Sequence, residues 1–486
     1  MFGIKKKAIT LLVLCAVGLG ITGCGSLETS RSGEGNRSDT EIVEMSGSEG
    51  ESVAADPETA ISEKESETTD PETVISEKES ETADPETATS EKESETESET
   101  ESEVPSAAIT EKEPETKQES AGSEQDETAG QEIDPQADGH ESADKAVQDM
   151  LIGWNLGNSL DVTGDWILQS TEGTVEDFET AWGNPVTPPT LMEKLKSMGI
   201  HAVRVPITWN HHFDDQGNID ADWMARVKEI VDWAMEADLY CIINIHHDTG
   251  ADGWLRASNA NYEENSQMYA KLWEQIALEF KDYPDLLLFE GFNEMLDERA
   301  EWNNPNAESV EVINRYNQLF VDTVRSTGGN NAGRNLICCT YAAAANNSVL
   351  KGFALPEDSV QGHLIAEVHF YAPYEFITEE GVTWTTPIKE YTDYVERQID
   401  GIFSGLSERF AAEGVPLIIG EFACDDKDNT EDRIKWYTHV IEKANEMDAT
   451  CFIWDNGNGF CMGHIDRVGD EDAFPQIIEA CVEAAK

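Results

Sequence analysis

Two glutamates lie at or next to the end of apolar runs that have the length of a β-strand. Glu294 ends the run Leu286–Glu294, and Glu421 is the next-to-last residue of the run Pro416–Phe422. Two carboxyl groups about 5–5.5 Å apart can hydrolyse a glycosidic bond with retention, one attacking the anomeric carbon and the other protonating the leaving oxygen. One glutamate at a strand end is usually solvated or ion-paired. Two of them with polar neighbours predict a catalytic pair.

The neighbours of these glutamates assign the two roles. A nucleophilic carboxylate must be ionised, which a nearby cation and hydrogen-bond donors favour, and we expect Arg204 and Tyr371 to supply these to Glu421. An acid must keep its proton, which burial and a nearby negative charge favour, and Glu421 is expected to act on Glu294 in this way. The amide of Asn293 is predicted to bond the sugar 2-hydroxyl, a contact that strengthens in the transition state.

Eight apolar runs alternate with segments of helical periodicity, which predicts a parallel sheet covered by helices. The predicted strands are Met150–Leu156, His201–Ile207, Tyr240–His246, Leu286–Glu294, Asn335–Ala342, Ile365–Pro373, Pro416–Phe422 and Thr450–Asn456. The predicted helices include Pro188–Met198, Asp222–Ala237, Tyr262–Lys281, Ser309–Ser326, Lys389–Ala412 and Asp432–Glu446. Eight such units in roughly 340 residues predict an α/β fold, a (β/α)8 TIM barrel. A doubly wound open sheet is the alternative, and the absence of G-x-G-x-x-G after the first strand disfavours it.

A barrel of this kind carries its chemistry at the carboxyl ends of the strands, and the polar residues of this sequence gather there. Polar groups at one end of apolar strands are costly to bury without a purpose. The residues concerned are Arg204, Trp209, His246, His247, Asn293, Glu294, His369, Tyr371, Glu421 and Trp454.

Metal ligation is disfavoured at the two obvious places. Successive strand residues point to opposite faces, so the adjacent His246 and His247 should chelate one ion poorly. The acidic turn Asp425–Glu431 lacks the glycine of a calcium loop. We therefore expect neither a metal nor a cofactor.

Tryptophans in the predicted loops suit a sugar ligand, because pyranose faces present C–H bonds that pack on aromatic rings. Trp302 and Trp209 are the preferred candidates for the cleft. The remaining loop candidates are Trp154, Trp166, Trp182, Trp254 and Trp384.

Seven motifs in order resemble glycoside hydrolase family five, and within it the endoglucanases and xyloglucanases of subfamily four. The resemblance covers essentially all of residues 146–486. The motifs are G-W-N-L-G-N at Gly153–Asn158, A-V-R-V-P at Ala202–Pro206, I-N-I-H-H at Ile243–His247, F-E-G-F-N-E at Phe289–Glu294, V-H-F-Y-A-P-Y at Val368–Tyr374, I-I-G-E-F at Ile418–Phe422 and W-D-N-G at Trp454–Gly457.

The resemblance implies a role for each matching residue. Glu294 would be the acid/base, Glu421 the nucleophile, and Arg204 the group that orients the nucleophile. Asn293 would contact the 2-hydroxyl. Other residues would line the substrate subsite, namely His246, His369, Tyr371 and Trp454, and the predicted binding set also includes Asn155 and His247.

Two positions depart from the family pattern. Met295 stands where proline usually follows the N-E pair, and Asp248 stands where Glu or Asn is expected after the two histidines. Neither change removes a reacting group. Because of both changes, the resemblance does not predict which residues line the outer sugar subsites.

The N-terminal segment is typical of a bacterial lipoprotein signal. Lys5, Lys6 and Lys7 precede a short apolar run, and Ile21–Cys24 resembles a lipobox. Residues 1–24 are therefore predicted to be a signal peptide, with Cys24 as the lipidated mature N-terminus, so that the protein is held at the cell surface by an acyl chain. Ordinary secretion is the alternative.

Residues 25–145 are predicted to form a disordered acidic linker. Between Gly25 and His140 there are 36 acidic and 7 basic residues, no Phe, Trp or Tyr, and three copies of a repeat that contains D-P-E-T. Such a segment cannot bury enough apolar area to offset its ordering entropy. The remaining residues, 146–486, are predicted to be the catalytic domain.

Charge and cysteine content limit the partners. The chain carries a net charge of −65, so nucleic acid is an improbable ligand and a neutral polymer fits better. The cysteines are read mainly as small core residues, with a disulfide framework as the alternative.

The leading hypothesis is a monomeric endo-β-1,4-glucanase. Alternatives are activity on xyloglucan, mixed-linkage glucan, mannan or xylan, and a non-catalytic surface lectin.

Overall fold

Eight parallel strands close into a barrel in which each strand pairs with its neighbours in the sequence. The computed structural model describes residues 139–378, 386–457 and 462–486. The signal segment 1–24 with Cys24, the linker up to residue 138 and Trp384 lie outside the described residues. The strands are β1 Ile152–Asn155, β2 Ala202–Val205, β3 Tyr240–Asn244, β4 Leu287–Glu290, β5 Leu336–Ala344, β6 Leu364–Phe370, β7 Leu417–Phe422 and β8 Thr450–Ile453. The predicted (β/α)8 TIM barrel is confirmed.

Helices separate the strands and cover the barrel from outside. In the described part of the chain they are α1 Ala143–Met150, α2 Asp165–Ser170, α3 Val175–Thr180, α4 Thr190–Ser197, α5 Ala221–Glu236, α6 Asn259–Glu279, α7 Ala307–Ser326, α8 Asn347–Leu350, α9 Tyr374–Ile377, α10 Asp393–Arg409, α11 Thr430–Asn445 and α12 Pro475–Ala484. Short 3-10 turns lie at Gly329–Ala332 and Ala411–Glu413. The long helices begin at side chains that accept hydrogen bonds from their first turns, such as Asp220, Ser258 and Asn306.

Each predicted strand overlaps an observed one, but several predicted strands extend too far at the carboxyl end. β3 ends at Asn244 and β4 ends at Glu290, so His246, Asn293 and Glu294 follow their strands instead of closing them. These polar residues leave the hydrogen-bond ladder and enter the short loops above the barrel. Their backbones are still fixed, since the amide of Asn293 donates to the carbonyl of Ile245 at 2.9 Å.

The six predicted helices correspond to α4, α5, α6, α7, α10 and α11. The others were not predicted, because most are too short for a period of 3.6 residues to stand out. α3 has only six residues and begins with a capping box between Thr174 and Asp177.

α1 closes the floor of the barrel, at the amino ends of the strands. Its apolar face packs against inward side chains of the barrel such as Ile242, Leu288 and Phe452. Thr450 on β8 donates a hydrogen bond to the carbonyl of Val147. Residues 143–145, which the sequence placed in the linker, form the first turn of this helix. The packed part of the chain therefore begins before residue 146.

A second and larger cluster of buried apolar side chains lies between the barrel and its helices. It includes the buried tryptophans of α5, α6 and α11, which are Trp223, Trp273 and Trp436. Six cysteines of the described residues are buried with free thiols, namely Cys241, Cys338, Cys339, Cys424, Cys451 and Cys481. Among the helices that the structure describes, none combines the length and apolar character needed to cross a bilayer.

Candidate active site

Glu421 lies inside β7 with its side chain buried at the carboxyl end of the barrel. Its Oε1 accepts a hydrogen bond from Arg204 Nη1 at 2.7 Å. Its Oε2 accepts one from the Tyr371 hydroxyl at 2.9 Å. The cation and the donor predicted for this carboxylate are therefore both in contact with it.

Arg204 on β2 is held by a second carboxylate that the sequence analysis did not single out. Glu290 at the end of β4 accepts from Arg204 Nε at 2.6 Å and from Nη2 at 2.8 Å, a bidentate pair with no exposure of either side chain. Asn155 and Asn293 accept the remaining N–H groups of the guanidinium at 3.0 and 2.9 Å. The planar fork is thus fixed in one orientation, which fixes where it meets Glu421.

Glu294 faces Glu421 from the other side of the barrel mouth, and His369 on β6 lies between them. His369 Nδ1 is 2.7 Å from Glu294 Oε1 and 3.6 Å from Glu421 Oε2. One ligand-type atom from each of the three residues lies within 4.8 Å of the others. The two carboxyl groups thus converge at the separation typical of a retaining pair.

Asn293 immediately precedes Glu294 and points into the same site. Its Oδ1 accepts from Arg204 Nη2 at 2.9 Å, so the amide is oriented with its NH2 group turned away from the guanidinium. That orientation presents a donor, which is what a bond to a sugar hydroxyl oxygen needs.

His246 and Trp454 form a wall beside the carboxylates. Their rings are nearly parallel, with an interplanar angle of 5° and centroids 6.0 Å apart. Asn244 Nδ2 lies 3.1 Å from His246 Nδ1, and the amide cannot be reversed because its Oδ1 accepts from the Ile207 amide. Burial lowers the pKa of His246 well below its ordinary value. The neutral ring therefore accepts at Nδ1 and carries its proton on Nε2.

Asn155 occupies a different position from the substrate-facing one predicted for it. It is fully buried, its Oδ1 accepts from Arg204, and its Nδ2 donates to the carbonyl of Gly420 at 3.0 Å. Both ends of the amide are used inside the protein. Asn155 thus ties β1 to the strand residue before Glu421.

The charge state of Glu421 differs from the simple expectation. Burial raises the pKa of Glu421 to about 7, although the charge of Arg204 and the hydrogen bond from Tyr371 act in the lowering direction. The predicted contacts are present, but desolvation outweighs them. Burial and the charge of Arg204 lower the pKa of His369 well below its usual range, so that ring is neutral as well.

Comparison with known proteins agrees with this geometry. The family model described as cellulase (glycosyl hydrolase family 5) matches residues 160–460, which is more than half of the chain. The chain belongs to glycosyl hydrolase family 5. Endoglucanase B of Neocallimastix patriciarum is 37% identical over 350 residues, which cover 70% of this chain and 72% of that protein.

Solved structures of family 5 enzymes have a comparable sequence identity to this chain. A variant of a Prevotella bryantii enzyme in complex with a xyloglucan tetradecasaccharide is 38% identical, with a TM-score of 0.64, and the match covers 71% of this chain and 99% of that one. A GH5-4 broad specificity endoglucanase from Ruminococcus champanellensis with bound cellotriose is 36% identical, with a TM-score of 0.66. That match covers 70% of this chain and 98% of the other.

Three buried polar residues of this family 5 site have no role predicted from the sequence. Glu290 and Asn244 end β4 and β3, and Glu367 lies two residues before His369 on β6. A signal was available for each, because an inward position of an apolar strand that carries a charged or amide side chain requires a buried partner.

The two preferred tryptophans differ in position. Trp209 is fully buried and its indole donates to the carbonyl of Asn244 at 3.0 Å, so it supports the loop instead of lining the cleft. Trp302 is only partly buried and packs on the edge of the large apolar cluster. Trp182 lies 5.6 Å from the ring of His247, beside the His246–Trp454 wall, and is a stronger candidate than Trp209.

In the described part of the chain, three groups of side chains have the spacing needed to hold a cation. One is Glu290 with Cys339 and Glu367, another is Glu294 with His369 and Glu421, and the third joins Asp161 to His246 and His247. Side chains of the histidine pair do not alternate as they would in a strand, because both residues follow the end of β3 and their nitrogens converge. The donor chemistry is nevertheless unfavourable, since the fixed tautomer of His246 places a proton on Nε2.

Proposed function

We propose that this protein is a retaining endo-β-1,4-glucanase that hydrolyses internal bonds of plant cell-wall glucans. The observation that carries the proposal is the convergence of Glu294 and Glu421 within 4.8 Å across one buried site. An inverting enzyme needs about 6.5–9.5 Å between its carboxyl groups to admit a water molecule. The short separation supports direct attack by a carboxylate.

In the first step, Glu421 attacks the anomeric carbon while Glu294 gives its proton to the glycosidic oxygen. Arg204 and Tyr371 hold the two oxygens of Glu421, so the attacking carboxylate is oriented before substrate arrives. The products of this step are a covalent glycosyl ester on Glu421 and the released end of the glucan chain.

In the second step, Glu294 acts as a base. Its carboxylate takes a proton from water, the hydroxide attacks the anomeric carbon, and the ester bond to Glu421 breaks. Two inversions give retention of the β configuration. The NH2 group of Asn293 is placed to bond the sugar 2-hydroxyl as positive charge develops on the ring.

Xyloglucan or mixed-linkage glucan is the second candidate substrate. The Prevotella bryantii structure that is 38% identical to this chain holds a xyloglucan oligosaccharide. Loops above the barrel set this preference, whereas the barrel and its carboxylates are common to both. Relative initial rates on cellulose, xyloglucan and mixed-linkage glucan separate the two candidates.

A non-catalytic lectin would require a disabled carboxylate pair. Both glutamates and the groups that hold them are present in contact. The assembled pair therefore favours the enzyme over the lectin.

The test of the function is paired substitution of the two carboxylates. Glu421→Gln should abolish hydrolysis of β-1,4-glucan, and Glu294→Ala should lower it by about 10²–10⁴-fold, the usual value of acid–base assistance. Added azide should restore turnover of an activated aryl cellobioside by Glu294→Ala and give a β-glycosyl azide. Glu431→Gln, an exposed glutamate on α11, is the matched control. Full activity of Glu421→Gln, with its fold intact by circular dichroism, refutes the proposal.

For the location, we propose a lipid-anchored protein at the outer face of a bacterial membrane, with residues 25–138 as a spacer. The support is the sequence Ile21-Thr22-Gly23-Cys24 after a short apolar run, and the acidic composition that follows it. We also propose a monomer, because every group of the proposed site comes from one chain.

Substitution of the cysteine tests the anchor. Cys24→Ala should leave the protein without an acyl group by mass spectrometry and shift it from the membrane fraction. Equal membrane association of the variant and the wild type would refute anchoring through this residue. Light scattering of the purified protein tests the monomer, and a dimer mass would overturn it.

A further inference from the structure

A fourth glutamate lies beneath the proposed catalytic pair, in addition to Glu290, which holds Arg204. Glu367 on β6 is fully buried and belongs to none of the motif positions assigned above. Its Oε2 lies 3.1 Å from the sulfur of Cys339, whose thiol also lies 2.6 Å from the carbonyl oxygen of Phe292. Its Oε1 points toward the underside of His369.

The contact between Glu367 and His369 is close but incomplete. Glu367 Oε1 lies 3.5 Å from His369 Nε2, about half an ångström beyond an ordinary hydrogen bond. Within the described part of the chain, neither atom has another hydrogen-bond partner, and both are buried. Two complementary atoms that face each other in this way need only a small movement to bond.

The backbone of β7 makes room for this carboxyl group. A Cβ atom on Gly420 would lie 1.6 Å from Glu367 Oε1. Glycine therefore occupies the position next to Glu421 because the acid of β6 fills the space in front of it.

The charges around Glu367 favour its neutral form. Arg204 is the cation nearest to it, at 3.6 Å from Oε1, but all five N–H groups of that guanidinium already donate elsewhere. Glu290 and Glu421 add negative charge on two sides. Burial and the charge of Glu290 raise the pKa of Glu367 well above its ordinary value, and Arg204 only partly opposes them.

We propose that Glu367 is a positioning residue that donates its proton from Oε1 toward His369 Nε2 and thereby holds the imidazole proton on Nδ1. With Nδ1–H aimed at Glu294 Oε1, that oxygen is an acceptor, and the transferable proton of Glu294 resides on its other oxygen, which faces the glycosidic bond. No bond to carbon changes and no proton leaves Glu367 during turnover. The inference rests on the proposed glucanase function and refines its acid step.

Two substitutions separate donation from charge. Glu367→Gln keeps the shape and offers an N–H to His369, so it should retain kcat on cellohexaose within about threefold. Glu367→Met fills the same space without a donor, so it should lower kcat on cellohexaose by about 10–100-fold, part of the usual value of acid catalysis. The KM of both variants should stay near that of the wild type. Ile365→Val, an inward residue lower on β6, controls for packing.

Comparing two leaving groups distinguishes a loss of acid assistance from a packing defect, because a packing defect should lower the rate with both. Dinitrophenolate departs without protonation, so the burst of dinitrophenol from dinitrophenyl β-cellobioside should stay within about threefold in Glu367→Met while cellohexaose turnover falls. Equal losses on both substrates would show a structural role only. A Gln variant as impaired as the Met variant would show that Glu367 acts as an anion. Either result overturns the inference and leaves the glucanase function standing, because that function is read from the wild-type enzyme.

Discussion

At the scale of single residues, the site places a buried carboxylate between one cation and one hydroxyl donor. Arg204 and Tyr371 each bond one oxygen of Glu421. Burial nevertheless raises the pKa of Glu421 to about 7. On the proposed mechanism, the nucleophile is therefore only about half ionised at pH 7, and the two contacts prevent its pKa from rising further.

Removing the hydroxyl should therefore shift the pH profile in a defined direction. The Tyr371 hydroxyl stabilises the ionised form of Glu421, so Tyr371→Phe should raise the pKa of that group further. Because the ionised nucleophile is the active form, the acidic limb of kcat/KM, near pH 7 in the wild type, should move to higher pH. The profile on β-glucan between pH 4.5 and 9 measures this. A limb that stays in place, or moves to lower pH, would contradict the role given to Tyr371.

The sequence predicted which side chains meet at this site, because they lie in strings with polar groups at the ends of apolar strands. Glu294, Glu421, Arg204, His369 and Tyr371 come together as expected. The sequence could not reveal which carboxylates pair below the surface of the site, since Glu290 and Glu367 meet Arg204 only after strands far apart in sequence close into a barrel.

At the scale of elements, the loops after β2 and β3 are joined by one buried aspartate. Asp248, the departure from the family pattern, accepts from the Trp209 and Asn210 amides at 2.8 Å each and from the Trp254 indole at 2.7 Å. Three donors to one carboxylate fix both loops relative to each other. The departure therefore has a structural consequence at the rim of the site, which the motif alone did not show.

An amide in place of the Asp248 carboxylate should weaken the connection between the loops after β2 and β3. Asp248→Asn has one acceptor oxygen, and its NH2 group must face an N–H donor, so the variant should lose about 1–3 kcal/mol of unfolding free energy. Urea denaturation at pH 7 provides the measurement. Asp252→Asn, an exposed aspartate in the same loop, should be unchanged. Equal denaturation midpoints for both variants would contradict the role of Asp248 in joining the two loops.

The strands and long helices followed from hydrophobic periodicity, whereas strand ends and short helices did not. β4 ends at Glu290 although apolar residues continue after it, because the chain leaves the ladder to deliver Asn293 and Glu294 to the barrel mouth. The ends of such strands are set by how the barrel closes in three dimensions, and the local sequence pattern carries no information about that closure.

At the scale of the whole molecule, the barrel is closed at one end and reactive at the other. α1 covers the floor with Ala143, Ala146, Val147 and Met150, which are all fully buried. Glu294 and Glu421 lie beyond the carboxyl end of β4 and at the carboxyl end of β7. Of the described residues, the first helix therefore lies on the face of the barrel opposite the site.

A charge on the buried side of α1 should destabilise the entire barrel. Val147→Asp places a carboxylate among the apolar floor residues and should cost several kcal/mol, which would lower the Tm by roughly 5–15 °C. Gln148→Asp, on the exposed side of the same helix, should change it little. Differential scanning calorimetry compares the two. A Val147→Asp variant as stable as the control would mean that α1 is dispensable to the fold.

Trapping of the covalent intermediate tests the central claim most directly. A 2-deoxy-2-fluoro-β-cellobioside with a dinitrophenyl leaving group should form its ester rapidly and hydrolyse it slowly, because the fluorine disfavours positive charge on the sugar ring. Peptide mass spectrometry of the inactivated enzyme should then find one fluorocellobiosyl group on Glu421. A label on any other residue, or an active enzyme that forms no adduct, would contradict the account.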